Sequence, residues 1–280
     1  ILKSQMIKNS FRRNIKLINL KELKKIKLNN KSINLIDVKF YDNNLLKKNK
    51  THKKDFLKRC FDISFKILRM GLSSKFINGP INKSNFLDKK YLGITEYISK
   101  KFRIKKFAML IFNKKLSVCP VTTHLPLKLV SKSISKKLIK EKTKLINEFF
   151  IKNLRFKPNI GVTGLNPHCE SILKFNEDEK IIKPAIIELK KDGYKIEGPI
   201  PADTIFLKQN RQRYNVILGM YHDQVLSPIK TLNEYDAINI TLGLPFLRIS
   251  PDHGPNEKMI NKNSSNPLSL IQALKFLDKR

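Results

Sequence analysis

Cysteine and glycine are scarce in this 280-residue chain, and each scarcity excludes a class of function. The three cysteines, Cys60, Cys119 and Cys169, form no CxxC pair and no even-numbered framework. That excludes a disulfide scaffold, argues against a structural zinc site and suits a reducing, cytoplasmic setting. The ten glycines include neither GxGxxG nor GxxxxGKS/T, so the chain has no ordinary dinucleotide fingerprint and no P-loop. GxSxG and HExxH are missing too. No apolar run reaches membrane-spanning length, and no N-terminal signal peptide is recognisable.

Acidic residues are also in short supply, at 23 against 57 basic ones, for a net charge of +34. Such an imbalance suits an anionic partner, either nucleic acid or a phosphorylated substrate. The basic residues, however, run from Lys3 to Arg280 without forming an arm or a stripe, and no zinc finger or RNP-type aromatic motif accompanies them. Lys, Ile and Asn dominate throughout, as in proteins of AT-rich genomes. The charge is therefore read as compositional drift that also steers a phosphorylated substrate, and nucleic acid is not the expected partner. Length and a hydrophobic content of 41% suit one large or two modest domains and argue against wholesale disorder.

Apolar runs alternate with helical periodicity. Strands are predicted near 33–38, 76–77, 107–112, 116–121, 159–163 and 216–220, with 107–112 and 116–121 as neighbours. Helices are predicted over 60–72, over 129–154 with one break, over 181–192 ending at Gly193, and over 268–277. The polar run 42–54 reads as an exposed connection. Alternation of this kind predicts an α/β fold with a largely parallel sheet. In such sheets ligands gather at the carboxyl ends of strands. The Gly- and Pro-containing peptides that follow the apolar runs are where a site is expected.

Three of only five histidines stand in such peptides. His124 is in Thr122-Thr-His-Leu-Pro-Leu127, His168 in Gly164-Leu-Asn-Pro-His168 and His222 in Met220-Tyr-His-Asp-Gln224. Imidazole is the commonest ligand for a catalytic divalent metal, and three protein ligands leave positions open for substrate. A lone histidine after a strand is more often a hydrogen-bonded structural residue. Three in matching contexts point to a shared site. His253, in Ser250-Pro-Asp-His-Gly254, is read as a fourth site residue or a partner of Asp252, and His52 as solvated. Asp203, framed by Pro199 and Pro201, is a candidate proton acceptor, with a helix N-cap as the alternative. Lys230, Asn239 and Arg248 supply two cations and an amide donor suited to a carboxylate or phosphate ester. Arg248 stands among apolar residues, where an unpaired guanidinium would be costly.

Taken together, these peptides resemble the 4-hydroxythreonine-4-phosphate dehydrogenase family of vitamin B6 synthesis. The resemblance covers about 75–280. It runs through Gly79-Pro-Ile-Asn-Lys83, Gly93-Ile-Thr-Glu96, the three histidine peptides, Gly198-Pro-Ile-Pro-Ala-Asp-Thr204, Asn239-Ile-Thr-Leu-Gly-Leu-Pro-Phe246 and Asp252-His-Gly254. It implies an α/β/α fold like isocitrate and isopropylmalate dehydrogenases, as one dehydrogenase domain over 1–280 made of two interleaved subdomains with the site in the cleft between them. It implies that His124, His168 and His222 bind a divalent metal (Zn, Mg or Co) at a homodimer interface. Thr95, Lys230, Asn239 and Arg248 would contact substrate, and NAD or NADP would be the oxidant, bound without the usual glycines. Three departures stand out. The family has His where this chain has Ile94. The glycine-rich stretch after the His168 peptide is replaced by Cys169-Glu-Ser-Ile172. The family's opening strand and Gly-Asp-Pro turn are absent before Ile1, so an N-terminally truncated member is expected.

The reaction so implied is oxidation of 4-phosphohydroxy-L-threonine to a β-keto acid that decarboxylates to 3-amino-2-oxopropyl phosphate, with Asp203 as a candidate base. Three alternatives are weighed against it. Ile94 motivates a sister dehydrogenase of phosphorylated threonate or erythronate. The charge motivates a basic nucleic-acid-binding protein on a decayed enzyme scaffold. The histidines alone would also serve a three-His metal hydrolase.

Overall fold

The computed structural model describes residues 2–28, 30–41, 50–82, 86–87, 90–172, 175–255, 257–259, 262 and 265–278. Lys83 of the glycine–proline peptide, Ile1 and positions 42–49 of the polar run lie outside the described residues. The chain divides into two compact units, Ile1–Ser74 and Lys75–Arg280.

In the first unit, helix α1 (Leu2–Lys8) precedes two short parallel strands, β1 (Ile15–Leu17) and β2 (Ile33–Leu35). Helix α2 (Lys50–Arg69) follows. It begins inside the stretch expected to be a connection, so 50–54 is helical. Lys has good helix propensity, and the buried Phe61 and Phe65 downstream anchor the helix at i,i+4 spacing.

The second unit is built on an eight-stranded sheet. Its strands are β3 (Lys75–Ile77), β4 (Ala108–Phe112), β5 (Ser117–Pro120), β6 (Ile160–Thr163), β7 (Ile196–Ile200), β8 (Val216–Gly219), β9 (Ile238–Leu242) and β10 (Leu247–Pro251), in the order β3-β10-β9-β4-β5-β8-β6-β7. β5, β8, β6 and β7 are mutually parallel and β3 is parallel to β10, whereas β9 runs antiparallel to both β10 and β4, and β4 antiparallel to β5. The sheet is therefore mixed rather than largely parallel. The reason is local, because β4–β5 and β9–β10 are joined by connections far too short for a crossover, which leaves only a hairpin. At the second hairpin Gly243 takes φ +86°, and a Cβ there would meet the Lys106 carbonyl at 2.3 Å.

Alternate side chains face opposite sides of the sheet. Leu110, Ile240, Ile249, Val162 and Leu218 enter the larger core. That core is closed by α4 (Lys136–Phe149), α5 (Lys183–Lys191) and α7 (Leu268–Asp278), through residues such as Ile139, Ile146, Leu189 and Phe276. On the other side Val118 and Ile217 pack against Val225 and Ile229 of α6 (His222–Asn233). This side carries the smaller core, and beyond it the strand faces turn polar. Helices on both sides make the unit an α/β/α sandwich, as expected.

Candidate active site

β5, β8 and β6 are adjacent and parallel, so they end at one edge of the sheet. Each is followed by one of the three histidines: His124 after β5, His222 at the start of α6 after β8, and His168 in the turn after β6. The carboxyl edge of a parallel sheet, where helices begin and ladder bonds stop, is where α/β proteins place ligands.

A cavity of about 510 Å³ opens on the polar side of the sheet. That is within the ordinary range of small-molecule sites. Arg248 and Ser250 from β10, Asn239 from β9, and Met109 and Ile111 from β4 form its floor. Helix α3 (Ile94–Lys101) adds Ile94 and Thr95 from its first turn. His124 and His222 line it together, with ring centroids 5.7 Å apart.

Arg248 is 2% exposed. Its Nε donates to Asn78 Oδ1 at 2.8 Å and its Nη1 to Thr241 Oγ1 at 2.9 Å, with Thr95 Oγ1 at 3.5 Å. Thr241 is its direct cross-strand partner, so strand register sets this contact. Burial pushes the guanidinium down to about 10 against the pull of the facing Glu96, and it stays charged at neutral pH. A buried cation held only by neutral groups and a neighbouring carboxylate is suited to an incoming anion.

Glu96, in the first turn of α3, orients His124. Its Oε1 accepts from Thr123 Oγ1 at 3.0 Å and lies 3.1 Å from His124 Nδ1. Gly93 makes room for this contact, since a Cβ there would fall 2.6 Å from Glu96 Oε2 and 2.8 Å from His124 Cε1. Burial alone would raise the Glu96 carboxyl. The His124 and Thr123 hydrogen bonds and the His124 charge outweigh it, and the pKa falls below the ordinary carboxylate value. Asp223 stands to His222 as Glu96 does to His124, with Oδ1 2.7 Å from His222 Nδ1. A carboxylate at Nδ1 is the usual arrangement around an imidazole that binds a metal through Nε2.

The depressed Glu96 pKa has a stability consequence. The stabilisation is fully present above the unfolded value, about 4.3, and is lost as pH falls through the lower folded value. Wild-type protein is expected to unfold at a higher temperature than Glu96→Gln at neutral pH, with the margin closing below that value. Thermal unfolding at stepped pH measures this, and a margin that does not change with pH contradicts it.

The remaining predicted residues are placed unequally. Lys230 does not line the cavity. Its ammonium binds the carbonyl of Asp252 and, at 2.5 Å, the Asp252 carboxylate, which does line it. Burial pushes the Asp252 carboxyl up, opposed by Lys230. His253 lines the cavity, and its Nδ1 is 2.9 Å from the Gly254 carbonyl rather than on Asp252. His52 is exposed on α2. His168 is exposed and outside the cavity, in a left-handed conformation (φ 56°, ψ 12°). Asp203 is also exposed and outside it. The short helix there runs Ala202–Ile205 with Pro201 as N-cap, so Asp203 is in the first turn and is not the cap. Burial first, then the nearby Asp178 and Asp203 carboxylates, raise the Cys169 thiol to about 11, so Asp203 belongs to the surroundings of the His168 turn.

The cavity thus gathers Thr95, His124, His222, Asn239 and Arg248, with Lys230 behind Asp252, while His168 and Asp203 form a second, exposed group. Among the described residues, no group of three or more His, Cys, Asp or Glu could hold a cation. His124 and His222 have the chemistry of two ligands for a divalent metal, and among the described residues no third stands with them. Asn239 lines the cavity and its Oδ1 is buried without a hydrogen-bond partner, as expected of a cavity that awaits polar ligand atoms. Asn78 and Glu96 were not assigned roles from the sequence. Glu96 has a signal there, an acidic residue beside Thr95 in a helix's first turn, whereas Asn78 has none beyond preceding Gly79-Pro80.

The family model of the pyridoxal phosphate biosynthetic protein PdxA matches residues 1–277. A 4-hydroxythreonine-4-phosphate dehydrogenase of Sulfurihydrogenibium sp. (strain YO3AOP1) is 41% identical over 202 residues, which is 70% of this chain and 62% of that protein. The chain therefore spans less than two thirds of that relative. The crystal structure of 4-hydroxythreonine-4-phosphate dehydrogenase from Klebsiella pneumoniae superposes with a TM-score of 0.80 at 27% identity, covering 98% of this chain and 87% of that one. Isocitrate dehydrogenase from Methylococcus capsulatus shares the fold, with a TM-score of 0.51 at 11% identity, covering 78% of this chain and 70% of that one.

Proposed function

Because the chain belongs to the family of the pyridoxal phosphate biosynthetic protein PdxA, we propose that it oxidises 4-phosphohydroxy-L-threonine. The product is a β-keto acid that decarboxylates to 3-amino-2-oxopropyl phosphate, in pyridoxal 5'-phosphate synthesis. The observation that carries this reading is the pairing of two carboxylate-oriented imidazoles with a buried guanidinium in one cavity.

His124 and His222 would hold a divalent cation through Nε2, with His168 as the third ligand. When bound, the cation supplies Lewis acidity to the substrate alcohol and a nicotinamide dinucleotide supplies the hydride acceptor. Arg248 binds an anionic group of the substrate, Lys230 adds positive charge from behind Asp252, and Thr95 and Asn239 orient the polar groups between them. Ile94, Met109 and Ile111 keep water from the reacting carbon. Asp203 is the proposed proton acceptor.

A homodimer reconciles the two groups of residues, since His168 and Asp203 are exposed where a second copy could reach them. Leu127 (70% exposed), Phe175 (58%) and Ile172 lie on segments tied together by the Ser131–Glu177 hydrogen bond and next to the His168 turn. Exposed apolar residues gathered beside a site commonly mark an interface. No helix of the described residues is long and apolar enough to cross a membrane.

The test is NADH formation with 4-phosphohydroxy-L-threonine, NAD and added divalent metal. Metal-dependent turnover is expected, and a folded, metal-loaded protein without it refutes the assignment. Ile94 favours one second reading, because this buried side chain lines the cavity and cannot donate a hydrogen bond. Phosphorylated threonate and erythronate therefore belong in the same substrate panel.

A further inference from the structure

Gln224 stands two residues beyond His222 in the first turn of α6, and its amide makes three short hydrogen bonds away from its own helix. Oε1 accepts from Thr163 Oγ1 and from the Met220 backbone N–H, both at 2.7 Å. Nε2 donates to the Gly164 carbonyl, also at 2.7 Å. Two donors on the oxygen and one acceptor on the nitrogen leave a single orientation for the amide.

The place is informative. β6 and β8 are paired only as far as Val162 and Leu218. Beyond that register the backbones separate, one towards His168 and the other towards His222, and ladder bonds no longer link them. Gln224 spans this opening. Gly219 lets α6 fold back over the end of β8, since a Cβ there would lie 2.3 Å from Val225 Cγ1 and 3.2 Å from Gln224 Oε1. On its other side the His168 turn is held by Asp178, which is fully buried and accepts from the Leu165 and Asn166 N–H groups at 2.7 and 3.1 Å. A Cβ on Gly164 would meet Asp178 Oδ1 at 2.6 Å, so the turn is packed closely between the two. Of these two supports, only Gln224 belongs to the helix that carries His222.

We propose that Gln224 is a positioning residue that sets the His168 turn relative to the His222 helix, and so fixes how the chain presents each of these two proposed cation ligands. The proposal deepens the metal reading above and rests on it. Glu cannot substitute, because its second oxygen would face the Gly164 carbonyl without a proton to donate. Leu removes all three bonds and strands the Thr163 hydroxyl in the interior.

The experiment compares wild type, Gln224→Glu and Gln224→Leu. In metal-free protein, hydrogen–deuterium exchange of the peptide covering 164–170 is expected to accelerate in both variants while exchange in β4 stays unchanged. With Co²⁺ as the probe, affinity is expected to fall about 10- to 100-fold, the usual effect of losing an outer contact to a ligand, and the visible spectrum of the bound ion to change. Unchanged exchange at 164–170 together with an unchanged Co²⁺ spectrum in Gln224→Glu overturns the proposal. If Gln224→Leu does not fold, Gln224→Glu decides, since it keeps both acceptor bonds. If wild type and His222→Ala take up Co²⁺ equally, the cation reading fails, and the exchange result still decides whether Gln224 holds the turn.

Discussion

His222→Ala should lose both bound metal and turnover. Lewis-acid stabilisation of a developing oxyanion is worth several kcal/mol, so the rate should fall by about a thousandfold or more. The fold should survive, because His222 is partly exposed at the start of α6 and that helix is anchored by Val225, Leu226 and Ile229. His124→Ala should behave alike, with the added effect of leaving the mostly buried Glu96 carboxylate without its imidazole. His168→Ala is the more discriminating case. Its side chain is exposed and outside the cavity, so a purely structural account predicts no effect on turnover, while the three-ligand reading predicts the same loss as at His222. Metal content by elemental analysis and initial rates on the three variants settle each ligand separately. Near-normal activity in any one removes that residue from the set.

Arg248→Met should separate binding from folding. A charge-assisted hydrogen bond contributes about 1.5–3 kcal/mol, and a guanidinium fork can make two to one anion. Substrate affinity is therefore expected to fall by about 100-fold or more. Stability should change far less. The wild-type guanidinium is buried against a strong desolvation penalty, visible in its pKa of about 10, and Met fills a similar volume without one. The opposing cost is the loss of a donor to Asn78 and Thr241. Substrate titration and thermal unfolding of the same preparation test this, and a wild-type KM would remove Arg248 from the anion site. Arg248→Lys should recover only part of the affinity, since an ammonium retains the charge but not the planar fork.

Strand and helix succession was legible wherever apolar period and turn chemistry agreed. Gly193, with φ +83°, ends the helical run at 183–191 as its sequence position suggested. The break in 129–154 falls at Ile134 and Ser135, where Ser135 caps α4 through Leu138 N–H. The position of the three histidine peptides after strands was legible from the apolar runs before them, and the sheet brings those strands side by side, although only His124 and His222 share the cavity. Strand direction was misread, although the short 113–116 and 243–246 connections contained the answer. The larger omission was the support around the histidines. Asp178 and Gln224 act through contacts with residues distant in sequence, such as Gln224 with Gly164, and no local spacing announces them, while the first-turn position of Glu96 does not say that its partner is His124. Asp203 illustrates the converse, since two flanking prolines made it conspicuous in the sequence while the fold leaves it exposed and outside the cavity.

The two-residue repeat of β9 and β10 has a genetic consequence. Ile238, Ile240, Leu242 and Ile249 point into the larger core, whereas Asn239 and Thr241, with Arg248 and Ser250, point to the cavity side. Neighbouring codons along these strands thus answer to different selective pressures. On the proposed function, lesions at one set would deplete the cell of protein, and lesions at the other would leave a full complement of inert molecules. An allelic series across 238–250 would sort into two phenotypes in strict alternation along each strand, with the hairpin at Gly243 as the point where the phase is reset.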